Sequence, residues 1–447
     1  MHVRAALVVN LERRIGQTVT RFPFADRPRL WGTAVSHYQV EGDDLCDWSD
    51  WERAGRTRGE PCGGAVGSWR HYETDAELAA AAGANAFRFS VSWSRVEPSP
   101  GHYDDHAIAR YVRLIEKLNT LDLEPIVTLF HYTHPQWFHA TTPWTSTASV
   151  ERFGAFGKQI AEAFGDRVRL YVPLNEPLVF ALAGYYDAQI PPGLSDGRAM
   201  ARVVDHLLAA HCAAAAAIRE VNPQAAIGVA HNMMAFAAER RWNPLDRAIA
   251  SIAHRCYNRG LIEAFGSGRW DFLLPPRTRV RGRRDDLPAS IDVFGVNFYS
   301  RLHLRCPGRE RLIGDFAYRD TTGFGFTDNG WEIVPNALDE LLIEATRANR
   351  PLMIMENGLA DAGDRFRSAF IEAHLDSMER AAERGITVHG YLHWSLLDNY
   401  EWLDGFGPKF GLYEVDRATL ERRPRASVET FRSAGARFLA LKGGGAG

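Results

Sequence analysis

The regular spacing of eight short apolar runs constrains the fold of this chain more than any other feature. The runs are rich in apolar or β-branched residues, as buried strands are, and they span residues 30–35, 86–91, 125–129, 170–174, 226–230, 293–297, 352–355 and 388–392. Longer stretches with a 3.6-residue apolar period lie between them, for example residues 107–121, 199–220 and 369–384. Strands that alternate with helices predict a parallel sheet, and eight such units predict an α/β fold of one domain, a closed (β/α)8 TIM barrel.

The alternative fold is an open, doubly wound sheet, but no Gly-x-Gly-x-x-Gly motif follows the first run. No linker rich in Gly, Ser or Pro divides the chain. We therefore predict an N-terminal extension at residues 1–20, one barrel domain at residues 21–440 and a flexible C-terminal tail at residues 441–447. Residues 54–67 and 306–330 are predicted to be loop-like insertions.

The charge of the chain bears on its partners. A formal net charge of −3 over 447 residues provides no basic field for nucleic acid or an anionic membrane surface. No run of 18 apolar residues occurs, so no membrane span is expected. We expect a small molecule as the partner rather than nucleic acid or a membrane.

Cysteine usage indicates the compartment. The chain has five cysteines, an odd number, and none are spaced as Cys-x-x-Cys. This argues against a disulfide framework or a zinc cluster and favours a reducing compartment. The apolar run near the N-terminus is too short for the core of a signal peptide. The sequence therefore predicts a cytoplasmic protein without a metal or another cofactor.

Polar side chains follow the predicted strands, where the chemistry of a barrel collects. Glu176 follows the fourth run as Asn175-Glu176-Pro177, and Glu356 follows the seventh as Glu356-Asn357-Gly358. Other strand ends contribute two amides, a His, an Arg, a further acid and three aromatic residues, namely Gln39, Arg88, His131, Asn297, Tyr299, Trp394, Glu401 and Trp402. Hydroxyls of a sugar need such acceptors and donors, and its C–H faces stack on aromatic rings. A pair of carboxyl groups suits the cleavage of a glycosidic bond.

Each of these motifs also has a simpler interpretation. Asn-Glu-Pro alone could begin a helix, and Glu-Asn-Gly alone could form a turn. His131 and His134 do not have the spacing of a metal-binding motif. The placement of Glu176 and Glu356 on opposite strands, together with the polar ends of the third and eighth strands, favours a catalytic pair.

At these residues the chain resembles glycoside hydrolase family 1, the β-glucosidase family, from about Phe22 to Phe431. Seven ordered stretches carry the resemblance, beginning at Trp31, Phe87, Thr128, Asn175, Gly295, Met355 and Trp394. The resemblance implies that Glu176 is the general acid/base and Glu356 the nucleophile of a retaining double displacement. It implies that Gln39, His131, Asn175, Trp394, Glu401 and Trp402 hold the sugar, and that Arg88, Asn297 and Tyr299 support the site, with Arg88 and Tyr299 keeping Glu356 ionised.

The resemblance also implies a substrate. Members that cut phosphorylated sugars replace the acid at the position of Glu401, and members that cut thioglucosides replace the acid at the position of Glu176. Both residues are present here, so the expected substrate is an unphosphorylated O-glycoside with a terminal β-D-glucosyl residue, or alternatively a galactosyl or fucosyl residue. Departures from the family pattern at His37, at Pro173, at Met355 and in the stretch Tyr132-Thr133-His134 after His131 leave the aglycone open. A homo-oligomer is among the alternatives for assembly.

Three competing functions use the same residues differently. A transglycosylase would transfer the sugar to an acceptor other than water, and a sugar-binding protein with a decayed site would have lost one of the two acids. A metal-dependent barrel hydrolase would lose activity in a strong chelator. A retaining hydrolase requires the two carboxyl groups to lie roughly 5–5.5 Å apart, whereas an inverting enzyme needs a wider gap.

Overall fold

The computed structural model describes residues 22–24, 26–27, 29–274, 278–306 and 315–441. The predicted N-terminal extension at residues 1–20 lies outside the described residues, as does the predicted tail from residue 442 onward. Within the insertion at 306–330, residues 307–314 also lie outside them.

Eight parallel strands form a closed barrel. They are β1 (Leu30–Ala34), β2 (Ala86–Ser90), β3 (Glu124–Phe130), β4 (Leu170–Leu174), β5 (Ala226–Asn232), β6 (Val293–Phe298), β7 (Leu352–Asn357) and β8 (Val388–Trp394). Each strand pairs with its neighbours in chain order, and β1 closes the barrel by pairing with β8 from Leu30 opposite Gly390 to Ala34 opposite Trp394. The predicted (β/α)8 fold is therefore confirmed, and every predicted run falls on a strand of the barrel.

Helices surround the barrel and connect its strands. The α-helices span His37–Glu41, Asp47–Arg53, Ser68–Ala81, Trp93–Val96, Asp105–Thr120, Gln136–Thr141, Ala148–Phe164, Pro177–Tyr185, Gly197–Val221, Pro244–His254, Gly260–Ser267, Ala337–Ala345, Arg367–Glu383 and Ser427–Leu439. Short 3-10 turns lie at Gly165–Arg167, Pro288–Ser290, Thr346–Ala348 and Trp402–Asp404, and a π-helical turn lies at Arg255–Arg259. Asp104 caps the helix Asp105–Thr120 by accepting from two backbone N–H groups, and this helix buries Tyr111, Ile115 and Leu118 of the predicted stripe.

Further short strands lie in the loops outside the barrel. Asp315–Ala317, Arg301–Arg305 and Ala235–Ala238 form a three-stranded sheet. Arg269–Leu274 pairs with Thr278–Arg283, and Tyr413–Val415 pairs with Arg422–Pro424. The insertion at 54–67 is tied to the turn after β8, because the backbone N–H groups of Arg58 and Gly59 both donate to the carbonyl of Leu403.

The barrel interior is packed by side chains that alternate along the strands. Leu30 and Ala34 of β1 belong to the interior cluster, whereas Trp31 packs outward against the last helix. Two methionines of β7 fill space beside glycines: a Cβ at Gly295 would lie 2.4 Å from Cγ of Met355, and one at Gly390 would lie 2.3 Å from Cε of Met353. The unusual residue before Glu356 is thus explained by close packing in the barrel.

One described helix, Gly197–Val221, is long and apolar enough to cross a membrane by length and composition alone. The most apolar part of this helix is 67% buried inside the protein, where it packs on the helix Ala148–Phe164 and on β4. Such burial is what a core helix of a barrel requires.

Candidate active site

The strand ends open into a pocket of about 350 Å³. Nine of the residues selected from the sequence line this pocket, namely Gln39, His131, Asn175, Glu176, Tyr299, Glu356, Trp394, Glu401 and Trp402. Arg88 and Asn297 lie behind the lining, buried, and both donate hydrogen bonds to its carboxylates. The structure thus brings every residue selected from the sequence to one site.

Glu356 lies at the end of β7 with one charged and one neutral donor. Arg88 donates from Nη1 to Oε1 of Glu356 at 2.7 Å, and the Tyr299 hydroxyl donates to Oε2 at 2.7 Å. The guanidinium of Arg88 is fixed in turn, because Nε donates to Thr128 Oγ1 and Nη2 donates to Asn175 Oδ1. Both oxygens of Glu356 are therefore held in place before any substrate arrives.

The pKa of Glu356 reflects competing effects. Burial raises the pKa of this carboxyl to about 7, and the neighbouring Glu176 adds to the rise, whereas Arg88 and the hydrogen bond from Tyr299 lower it. Arg88 and Tyr299 act in the expected direction, but burial outweighs them.

Glu176 has a different set of partners, all of them neutral. Asn297 and Asn232 donate from their Nδ2 atoms to Oε1 of Glu176 at 2.8 and 3.0 Å, and the Tyr132 hydroxyl donates to Oε2. The backbone of Glu176 is left-handed, with φ of 46°, immediately before Pro177 begins a helix. This conformation is uncommon for a non-glycine residue and is typical of functional sites.

Asn175 connects the surroundings of the two acids. Its Oδ1 accepts from Arg88 at 2.7 Å and from Asn297 at 3.2 Å. Its Nδ2 lies 3.2 Å from Nε2 of His131. One amide side chain therefore fixes the relative position of the residues around Glu356, Glu176 and His131.

Gln39 and His131 line the side of the pocket next to β1 and β3. Gln39 donates from Nε2 to Asn399 Oδ1 and to the carbonyl of Tyr400, so its amide is held rigidly. Burial holds the pKa of His131 well below its ordinary value, so the ring is neutral. Among the described residues Nδ1 of His131 has no hydrogen-bond partner. Such a buried polar atom is available to a ligand hydroxyl.

Trp394, Glu401 and Trp402 follow β8. The ring of Trp394 stacks on His131 with centroids 5.8 Å apart, and Trp402 stacks on Tyr38 at 5.9 Å. Burial raises the pKa of Glu401 well above its ordinary value, whereas a hydrogen bond from Trp394 lowers it. Oε1 of Glu401 is buried without a partner among the described residues, as an acceptor for a ligand hydroxyl would be.

His37, the departure next to Gln39, bonds within the protein. Its Nδ1 lies 2.8 Å from Ser90 Oγ and its Nε2 lies 2.8 Å from Thr133 Oγ1. Burial lowers the pKa of His37 to about 4, so the ring is neutral at pH 7. His37 therefore ties the ends of β1, β2 and β3 together.

Several lining residues were missed from the sequence, among them Tyr132, Asn232, Tyr257, Trp331 and Phe410. Asn232 was missed because the fifth run was ended at residue 230, whereas β5 continues to Asn232. A fifth run extended to residue 232 would have placed Asn232 among the polar residues at strand ends. Tyr132 directly follows His131, and this position next to a selected residue is the only indication in the sequence that Tyr132 lies at the site. Nothing in the sequence marks Tyr257, Trp331 or Phe410.

The part of the chain that the structure describes contains no group of three or more His, Cys, Asp or Glu side chains arranged to hold a metal ion.

A barrel whose mouth presents two buried carboxyl groups, amides, a neutral His and tryptophans is the arrangement of a carbohydrate-cleaving enzyme. Residues 24–437 match the family model of glycosyl hydrolase family 1, and the chain belongs to this family. Retaining hydrolysis of β-glycosides is the activity of the family.

Individual proteins agree with the family match. A 1,4-β-D-glucan glucohydrolase of Thermotoga neapolitana is 30% identical over 88% of this chain and 98% of its own length. A bifunctional β-D-glucosidase/β-D-fucosidase of Bifidobacterium breve is 29% identical over 92% of this chain and 97% of its own length. The structure of a β-glycosidase from Pyrococcus horikoshii has 32% identity and a TM-score of 0.83, and it covers 93% of this chain and 95% of that one.

Proposed function

We propose that Glu356 is the nucleophile and Glu176 the general acid/base of a retaining β-glycosidase. The observation that carries the assignment is the difference between their partners. Glu356 accepts from a guanidinium, which favours its ionised form, whereas Glu176 accepts from neutral donors alone. An ionised carboxylate attacks the anomeric carbon, and a neutral carboxylic acid protonates the departing oxygen.

The reaction then proceeds in two displacements. In the first, an oxygen of Glu356 forms a bond to the anomeric carbon while the glycosidic bond breaks and Glu176 gives its proton to the leaving oxygen. In the second, Glu176 takes a proton from a water molecule, which attacks the anomeric carbon and releases Glu356. Two inversions give retention.

The sugar is held by the remaining selected residues. Gln39, His131, Asn175, Glu401 and Trp402 provide hydrogen-bonding groups for hydroxyls, and Trp394 provides an apolar face. Members of the family that cut phosphorylated sugars replace the acid at the position of Glu401, which is present here, so the proposed substrate is an unphosphorylated, terminal β-D-glucoside. The relative from Bifidobacterium breve, named for glucosidase and fucosidase activities, supports a fucoside as a further substrate, and a galactoside differs from a glucoside only in one hydroxyl orientation.

The setting of the enzyme is also a proposal. The described cysteines are free, and four of the five are buried, which supports a reducing compartment and hence the cytoplasm. A net charge of −3 supports a small carbohydrate partner rather than nucleic acid or a membrane. A homo-oligomer stays among the alternatives for assembly.

The experiment that tests the assignment labels the nucleophile. A 2-deoxy-2-fluoro-β-glucoside with a dinitrophenyl leaving group should trap the intermediate, and mass spectrometry of the peptides should place the adduct on Glu356. In parallel, Glu356→Ala should abolish turnover of nitrophenyl β-glucoside, and azide should restore some of it as the inverted glycosyl azide. An adduct on another residue, or full activity of the variant, would refute the assignment.

A further inference from the structure

The two oxygens of Glu176 are held unequally. Oε1 accepts from two amide N–H groups, those of Asn297 at 2.8 Å and Asn232 at 3.0 Å. Oε2 has one partner among the described residues, the hydroxyl of Tyr132. The amide of Asn232 is itself fixed, because its Oδ1 accepts from the Tyr257 hydroxyl at 2.8 Å.

This inequality decides which oxygen carries the proton. An oxygen that already accepts from two N–H donors has no room for a proton of its own, because three hydrogens would crowd the same lone pairs. The acid form of Glu176 therefore carries its proton on Oε2. The leaving oxygen of a substrate has to reach the same atom, so Tyr132 contacts the atom through which the proton passes.

We propose that Tyr132 is a positioning residue that orients Oε2 of Glu176 and becomes its hydrogen-bond donor when the proton has left. The proposal rests on the assignment of Glu176 as acid/base and adds a residue that acts through it. Tyr132 would favour the basic form of Glu176, which the second displacement requires, more than the acidic form, which the first requires.

Tyr132 is held well enough to do this. It follows the end of β3 in a left-handed conformation, with φ of 71°, which turns the side chain into the pocket. Its ring packs against Trp402, with centroids 5.3 Å apart, and against Phe180 at 6.5 Å, and it lies 5.4 Å from His131. The residue is 9% exposed. Contacts on several sides of the ring leave its hydroxyl one direction, toward Glu176.

The proton is conserved in each step. In the first displacement the proton on Oε2 moves to the leaving oxygen, the electrons of the glycosidic bond go to that oxygen, and an oxygen of Glu356 bonds to the anomeric carbon. Tyr132 then donates to the bare carboxylate and keeps its own proton. In the second displacement water gives a proton to Oε2, its oxygen bonds to the anomeric carbon, and the bond to Glu356 breaks.

The charges around Glu176 determine the sign of the expected pH effect. The ionisable groups that face it are Glu356, Tyr257 and Tyr299, together with Tyr132 itself. Burial raises the pKa of each of these tyrosines well above its ordinary value, so none of them ionises in the working range. Removing the Tyr132 hydroxyl takes a donor from the carboxylate form alone, so the variant favours the acid form of Glu176 more than the parent does.

The test replaces Tyr132 by Phe and follows the pH dependence of kcat/KM with a nitrophenyl β-glucoside. The basic limb, which reports loss of the proton from the acid/base, should move up by about one pH unit, because a hydrogen bond to a charged group has about that effect. Tyr171→Phe is the matched control: Tyr171 is buried in β4, its hydroxyl has no partner among the described residues, and its removal should leave both limbs unchanged.

A second measurement separates positioning from damage to the fold. The dinitrophenyl 2-fluoroglucoside needs no acid to form the adduct on Glu356, so Tyr132→Phe should be labelled at the rate of the parent enzyme. Release of the sugar needs the base, and reactivation of the labelled variant should be slowed about 5- to 10-fold.

Two outcomes would overturn the proposal. Either an unmoved basic limb, or labelling slowed as much as reactivation, would leave Tyr132 with a packing role only. Failure of the proposed function is a separate result, since it would appear as an adduct on a residue other than Glu356 in the parent enzyme.

Discussion

The surroundings of Glu356 and of Glu176 differ, although both residues are glutamates at strand ends of one barrel. Glu356 accepts from the fixed guanidinium of Arg88 and from Tyr299. Glu176 accepts from two amides and a phenol, none of them charged. Identical side chains thereby have different hydrogen-bond partners, and environment rather than residue type divides the work between them.

The donors also show how the site is built. Arg88, which donates to Glu356, lies within β2, and Tyr299 directly follows β6. Of the donors to Glu176, Asn232 and Asn297 pair with each other across β5 and β6, and Tyr132 lies just beyond the end of β3. Each carboxyl group is therefore held both by residues within the sheet and by one tyrosine beyond a strand end.

The largest expected effect comes from removing Glu176. Glu176→Ala should lower kcat/KM about 10²- to 10⁴-fold for an alkyl β-glucoside, because a poor leaving oxygen needs a proton. The formation of the intermediate from a dinitrophenyl β-glucoside should be much less affected, since that leaving group departs as an anion. Steady-state and stopped-flow rates with both substrates provide the measurement. An equal loss for the two leaving groups would contradict the role of Glu176.

The next largest effect concerns Arg88, the charged donor to Glu356. Arg88→Met removes the cation beside Glu356, so the pKa of that carboxyl should rise and the acidic limb of kcat/KM should move to higher pH by about 1–3 units. At pH 6 the loss of activity should be at least about 10-fold, as expected for a shift of that size.

Arg110→Met is the matched control for this shift. Arg110 is also buried, and it donates to the carbonyls of Ser68 and Trp69 away from the pocket. This variant should lose stability without moving the limb. If the two variants shifted the acidic limb equally, Arg88 would have no specific effect on Glu356.

A smaller effect tests the pKa of Glu356 through stability. In the folded protein the pKa of Glu356 is about 7, above its ordinary value of 4.5, so the folded state binds a proton more tightly than the unfolded chain does. This contribution to stability is present below pH 4.5 and is lost as the pH rises through 7. Glu356→Gln does not titrate, so its Tm relative to the parent should increase between pH 4 and pH 8.

The size of the expected change in stability, and the control for it, follow from the same link between the pKa and the free energy of unfolding. A shift of the pKa from 4.5 to about 7 corresponds to about 3 kcal/mol of unfolding free energy between the two pH values. Glu239→Gln, at a partly exposed carboxylate paired with Arg319, should show no comparable increase over that range. A Tm difference that is constant with pH would show that burial does not raise the pKa of Glu356.

The fold and most of the site were predictable because both follow from patterns among residues that are close together in the sequence. Apolar runs identified all eight strands, and the residue after a strand end lies at the mouth of the barrel whatever the rest of the chain does. Glu176, Glu356 and His131 were found in this way. The prediction of carboxyl groups roughly 5–5.5 Å apart stays a prediction.

The rest depended on geometry that the sequence does not encode locally. The direction of the Tyr132 side chain depends on one backbone angle at the end of β3. Tyr257 lies in a π-helical turn, far along the chain from β5, and reaches the site by contacting Asn232. Trp331 follows a loop-like insertion whose path no periodicity indicates. Contacts of this kind join distant segments and become visible only when the chain has folded.

The smallest expected effect is at His37, which lies outside the surroundings of both Glu356 and Glu176. Gln39 is held by Ser36, Asn399 and the carbonyl of Tyr400 rather than by His37. The variant His37→Ala should therefore change kcat/KM less than about 3-fold. The loss of the two hydrogen bonds of His37 should cost about 1–3 kcal/mol of stability. Burial holds the pKa of His37 in the folded protein at about 4, below its ordinary value of 6.5. The unfolded chain therefore binds the extra proton, and stability is lost as the pH falls from 6.5 to 4. Chemical denaturation at pH 7 and pH 5 should show that this acid sensitivity is smaller in the variant. A 10-fold rise in KM with the fold intact would instead place His37 among the residues that hold the sugar.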